Sequence, residues 1–362
     1  MKKLFIIILL ALFLPLGVLA QQEEMFKARV LQVLDQKENI DEAGVLLLQQ
    51  NLKLKALDGS FAGQEITFYG IDDFQVVSGQ VYEAGDRVVV NHRQDEAGKD
   101  VFFVLDYDRT NPIIWLACIF ILSVIFIGRW KGLRSLIGLV ASFVVILKFI
   151  IPQIVAGSNP ILISVTGSIV ILFFAIYLTQ GFGRKSHLAN LALVTSLLFT
   201  AVLSVFFTHL AQLSGYLGEE TIFLLESSQG SINLQGLLLA GIMLGTLGVL
   251  DDVIISQIST VEQIKLANPN LSKKQVYKMS LKVGVDHITS MINTLFFAYA
   301  GVALPMLILF SQSDVLGLNL TQVINNEMIA TEIIRTLLGS IGLVFSIPIA
   351  NFLASYFLSV KK

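Results

Sequence analysis

The pattern of apolar and polar positions divides the chain into two unlike parts. Over 21–110, apolar and β-branched residues recur in short runs at 28–34, 45–54, 65–69, 87–90 and 101–105, separated by Asp-Gly, Ala-Gly and Gly-Asp pairs suited to turns. This spacing predicts a small all-β domain of about five strands, an OB-like barrel or a sandwich. Asp72-Asp73 reads as one more turn. From Pro112 the pattern changes to long apolar runs, and seven are long enough to span a bilayer: 112–128, 135–152, 159–180, 188–211, 233–257, 287–309 and 328–357. The expected fold class is therefore a polytopic α-helical membrane protein of about seven transmembrane helices over 111–362, carrying a β domain at its N-terminal side.

Placement of charge orients these elements. Lys2 and Lys3 precede an apolar run from Leu4 to Ala20 that ends in small residues, so 1–20 reads as a signal peptide, with an uncleaved anchor as the alternative. Either one exports the β domain. Arg129, Lys131 and Arg134 follow the first long run, Arg184 and Lys185 the third, Lys265 to Lys282 the fifth, and Lys361 and Lys362 the seventh. The alternate connections 153–158, 212–232 and 310–327 contain no Lys or Arg. The positive-inside rule then puts the β domain outside and the C-terminus in the cytoplasm. In the fifth connection, Ser272 and Gln275 form a possible capping box opening a short amphipathic helix over about 272–284, with Val276, Met279 and Val283 opposite Lys274, Lys278 and Lys282. That helix is expected to lie on the inner membrane surface.

Composition supports the membrane assignment, with 54% hydrophobic and 14% charged residues against about 25% charged in soluble domains. A single cysteine, Cys118, excludes an internal disulfide framework. Four scattered histidines with no Cys/His cluster give no metal site, and nothing calls for a cofactor. No basic and aromatic stripe points to nucleic acid, and no Ser-His arrangement or Gly-x-Ser motif points to an enzyme.

The informative residues lie where charge interrupts apolar runs. In the fifth run Gly241, Gly245, Gly248, Asp252 and Ser256 step by four, three, four and four, which puts them on one helical face. Glycines let helices approach closely. A carboxylate in such a span costs roughly 2.5–3.5 kcal/mol on insertion scales, so Asp252 is expected to face the bundle interior and to work there. Asp251 points about 100° away. The sixth run opens with Asp286 and His287, with Asp286, Ser290 and Asn293 on one face; the pair either joins Asp251 and Asp252 in one cluster or caps the helix. Glu332 and Arg335 in the seventh run read as an i,i+3 ion pair that fixes packing.

Three blocks resemble the YibE/F-like family of bacterial membrane proteins: Gly245 to Val253; Asp286 to Gly301, continuing to Leu304-Pro305; and Glu332 to Leu343, ending near Pro348. Order and spacing are kept over about 110–357. The resemblance implies a multi-pass protein of the bacterial inner membrane. It places the motif carboxylate at Asp252, with Asp251 as a departure. The segment from Gly248 to Ile255, followed by a basic helix and another span, also looks like the proton-relay helix of RND-type transporters. That likeness implies a proton- or cation-coupled transporter or transport accessory with Asp252 as intramembrane carrier. It also implies a homodimer or a partner of similar fold. The alternative is a membrane scaffold whose exported β domain binds an envelope protein.

Overall fold

The computed structural model describes residues 24–40, 46–71, 81–95, 98–228, 230–311 and 319–359. The leader or anchor expected at 1–20 and the turn at Asp72-Asp73 lie outside them. Two compact units divide the described residues between Ser123 and Val124.

The N-terminal unit is an antiparallel half-barrel sheet of five strands: β1 (Glu24–Ile40), β2 (Leu46–Ala56), β3 (Glu65–Tyr69), β4 (Arg87–Gln94) and β5 (Asp100–Tyr107). Their order in the sheet is β3-β2-β1-β4-β5. The alternation seen in sequence is the cause. Phe26, Ala28 and Val30 of β1, Leu52 and Leu54 of β2, Ile66 and Phe68 of β3, and Val88 and Val90 of β4 point to one buried face and form one core with Tyr82. Register shifts in β1 between Val30 and Gln32 and between Val33 and Asp35 supply the bends that curve such a sheet. At its exit Asp108 receives the Thr110 amide at 3.1 Å and pairs with Lys27 of β1 at 3.3 Å. Its side chain is almost completely buried. The Thr110 side chain and amide, then the Lys27 ammonium, hold its carboxyl below the ordinary carboxylate range against the opposing effect of burial.

The remaining elements are α1 (Thr110–Val145), a π-helical turn (Ile146–Ile150), α2 (Ile151–Val155), α3 (Pro160–Gln180), α4 (Arg184–Leu210), α5 (Glu219–Ser227), α6 (Leu234–Ala267), α7 (Lys273–Val302), α8 (Leu304–Ser311), α9 (Leu320–Asn325) and α10 (Glu327–Phe357). Among the described residues, five helical stretches are long and apolar enough to cross a membrane: Thr110–Val155, Pro160–Gln180, Arg184–Leu210, Leu234–Ala267 and Glu327–Phe357. Two of the seven expected runs are not separate stretches among these five. The first two runs share one stretch, broken only at Arg129, where φ is 48 and ψ −133. There the chain turns so sharply that Gly132 rests against the Val124 backbone, a closeness that only glycine permits. The sixth run covers the second half of α7 and continues into α8, and the first half of α7 carries the lysines. The Ser272/Gln275 capping box is present, but the helix it opens continues without a break to Val302, so no separate helix ends near 284. Pro152, lacking an amide hydrogen, accounts for the π-helical turn that precedes it.

α10 packs against α4, α6 and α7. Small residues set the distances: Gly342 lies directly on the Thr200 hydroxyl of α4, and the site of a Cβ on Gly284 of α7 is 2.5 Å from Ile347. At the end of α6, Lys265 donates to the carbonyls of Ala354 (3.1 Å) and Leu358 (2.6 Å), closing the C-terminal turn of α10.

Two predictions follow from this packing. A carboxyl with a depressed folded pKa contributes stability above its unfolded value near 3.9 and loses it as pH falls through the folded value. Asp108→Ala should therefore speed amide exchange in β1 at neutral pH and flatten the acid dependence of that exchange below about pH 4. Gly342→Val, forced onto Thr200, should cost about 2 kcal/mol in detergent unfolding, whereas Gly241→Ala, with nothing within 4 Å of its Cβ position, should not destabilise.

Candidate functional site

α6 is the helix around which the candidate site is built. The Asn233 side chain accepts the Gly236 amide at 3.0 Å and fixes its start, and no proline interrupts it before Ala267. Leu244, Leu247, Gly248 and Asp251 recur at helical spacing and face the second half of α1 and α3. Between these three elements is a cavity of about 310 Å³, lined also by Ser135 and Ser142 of α1 and Thr179 of α3. Asp251 Oδ1 is buried and has no hydrogen-bond partner among the described residues. Ser142 donates its hydroxyl hydrogen to the Gly138 carbonyl at 2.9 Å, and Thr179 donates to the Ala175 carbonyl at 2.7 Å.

Asp252 does not face the interior. It is exposed, whereas Asp251 is half-buried, which corrects the assignment made from the glycine face. The cause is the 100° step between neighbours: α1 and α3 cover the Asp251 side, and α7 covers the other side only in part. Gly241 and Gly248 have nothing within 4 Å of their Cβ positions, and only Gly245 meets a neighbour, the Tyr299 hydroxyl, 2.8 Å from its Cβ position. The expected close packing along the whole glycine face is thus confined to Gly245.

Of the residues on α7, His287 comes within electrostatic reach of Asp252. Asp286 and Asn293 are exposed, and no hydrogen bond or ion pair among the described residues joins Asp286 to Asp251 or Asp252. Asp286 and His287 also do not cap a helix, because α7 begins at Lys273. Glu332 and Arg335 form the expected ion pair at 2.8 Å, each side chain about one-fifth exposed. Beside them Tyr299, Phe296 and Ile333 line a second, largely apolar cavity of about 230 Å³.

Sequence reasoning missed the fully buried polar side chains. Ser196, Thr200, Ser204 and Thr208 form a column of hydroxyls on α4, and Gln257 and Asn351 are buried amides. Neither amide has a partner among the described residues. The four-residue recurrence on α4 was the available signal. Among the described residues no group of three His, Cys, Asp or Glu side chains is placed to hold a metal.

A family model described as "YibE/F-like protein" matches residues 116–360. No curated protein and no solved structure matches the chain.

The geometry of the Glu332–Arg335 pair makes a prediction. Glu332→Gln leaves a guanidinium in apolar surroundings and should cost about 2 kcal/mol. Removing both charges in Glu332→Gln/Arg335→Gln should cost less than the sum of the single changes by about 1 kcal/mol, measured as a double-mutant cycle of detergent unfolding.

Proposed function

The chain belongs to the YibE/F-like family, and on that premise we propose that it is a proton- or cation-coupled transporter, or an accessory of one, in the bacterial inner membrane. The observation that carries this reading is the Asp251 carboxylate, which has a buried oxygen without a partner and lines a cavity between three helical elements. An ionisable group at such a depth is costly unless it serves a pathway. Asp251 replaces Asp252 as the primary carrier, and Asp252, beside His287, is a second proton-exchanging group. The Glu332–Arg335 pair neutralises itself and holds α10 in place.

The finer topology is part of the same proposal. Arg129, Lys131 and Arg134 cluster at the break in α1, which favours two membrane passages there, and α7 with α8 supplies a further one, giving seven. Lysine and arginine placement favours an exported β unit and a cytoplasmic C-terminus. The strand order, with β1 shared between β2 and β4, supports an OB-like barrel and a docking module for an envelope partner. The exposed face carrying Gly241, Gly248, Asp252 and Asn293 suits a second copy of the chain.

Wild-type protein, Asp251→Asn and Asp252→Asn reconstituted in liposomes with an internal pH dye and an imposed potassium diffusion potential test the reading. Proton flux in wild type should fall at least tenfold in Asp251→Asn, with a smaller loss in Asp252→Asn. Equal traces from all three, with and without sodium gradients, would favour the scaffold alternative.

A further inference from the structure

We propose that the cavity beside Asp251 binds a small monovalent metal cation, with the Asp251 carboxylate and the hydroxyl oxygens of Ser142 and Thr179 as its protein ligands. The proposal deepens the transport reading and rests on it for the purpose of the site. Three observations assign the ligand chemistry. The hydroxyl hydrogens of Ser142 and Thr179 are both committed to carbonyls of their own helices, so their remaining capacity is for accepting. With the Asp251 carboxyl group lining the same cavity, the cavity offers oxygen acceptors from α1, α3 and α6. An anion would meet repulsion there, and a hard cation would meet ligands.

Charge balance selects the valence. Asp252 lies on another side of α6 and is exposed, so a single carboxylate faces this cavity. One negative charge balances one positive charge; a divalent ion would leave a net charge inside an apolar bundle and ordinarily gathers more carboxylates. Volume separates a metal cation from a bare proton. A proton needs only one base, whereas about 310 Å³ is many times the ~10–15 Å³ that one water requires. The site therefore accommodates a partly hydrated ion, with water completing the coordination. Gly248, also on the cavity wall, has nothing within 4 Å of its Cβ position, which keeps that space open.

The test is thermal unfolding of the full-length protein in detergent, followed by tryptophan fluorescence, with sodium or potassium chloride replaced stepwise by N-methyl-D-glucamine chloride at constant ionic strength. Wild type should show a saturable rise of about 3 °C or more with sodium or potassium. Asp251→Asn and Gly248→Leu, which fills the cavity without altering charge, should abolish it. Thr179→Val should raise the half-saturating concentration about tenfold, and Asp286→Asn, exposed on another helix, should leave the response intact. No response in wild type to either cation, persistence in Asp251→Asn, loss in Asp286→Asn, or a larger response to calcium would each overturn the site. If Asp251→Asn does not fold, Thr179→Val and Gly248→Leu decide the matter. A cation response in protein that carries no flux in liposomes would overturn the transport reading and leave the site standing. Proton flux without any cation response would do the reverse.

Discussion

Close approach of helix backbones is the constraint on which the helical unit depends. Within lipid there is no hydrophobic gain from bringing two apolar helices together, so association relies on contact area and on polar groups that meet. α10 satisfies this requirement on three sides. Gly342 admits Thr200 of α4, Gly284 of α7 admits Ile347, and Leu343 with Ile347 fills the space beside Val253 of α6. A side chain at either glycine would push its helix away and loosen every other contact of α10. The Lys265 clamp on the last carbonyls of α10 belongs to the same arrangement, because it registers α6 against α10 along their length.

The same constraint explains why so many small polar residues are buried here. A hydroxyl that donates to a carbonyl one turn back, as Thr200 does to Ser196 at 2.9 Å, occupies little more room than alanine and satisfies its own hydrogen. It can therefore line a close helix contact at low cost. Thr200, Ser142 and Thr179 are alike in this respect, whereas the buried hydroxyls of Ser196, Ser204 and Thr208 have no hydrogen-bond partner among the described residues; the neighbours differ too. The α4 column faces packed helix. Ser142 and Thr179 face open volume and a carboxylate, so their lone pairs have something to do.

Local features were the legible ones. The five strands followed from alternation, although β1 runs well beyond the expected 28–34 at both ends. The Glu332–Arg335 pair followed from a spacing of three on one helix. Features decided by neighbours were not legible. The glycine face of α6 was read as the packed face because glycine suits packing, yet which face is packed depends on where α1, α3 and α7 lie. Where one helical stretch passes into the next was not legible for a related reason. A one-residue break at Arg129 leaves no loop to read, and a capping box at Ser272 announces where α7 starts without indicating how far it continues.

Adjacency in sequence separates Asp251 from Asp252 as effectively as distance would. The helical step sends one carboxylate toward α1 and α3, with hydroxyl oxygens and a cavity, and the other toward His287 and the open side of α6. Two neighbouring carboxylates on one rigid helix thus stand in different surroundings, which is why neither can be read from the other's place in the sequence.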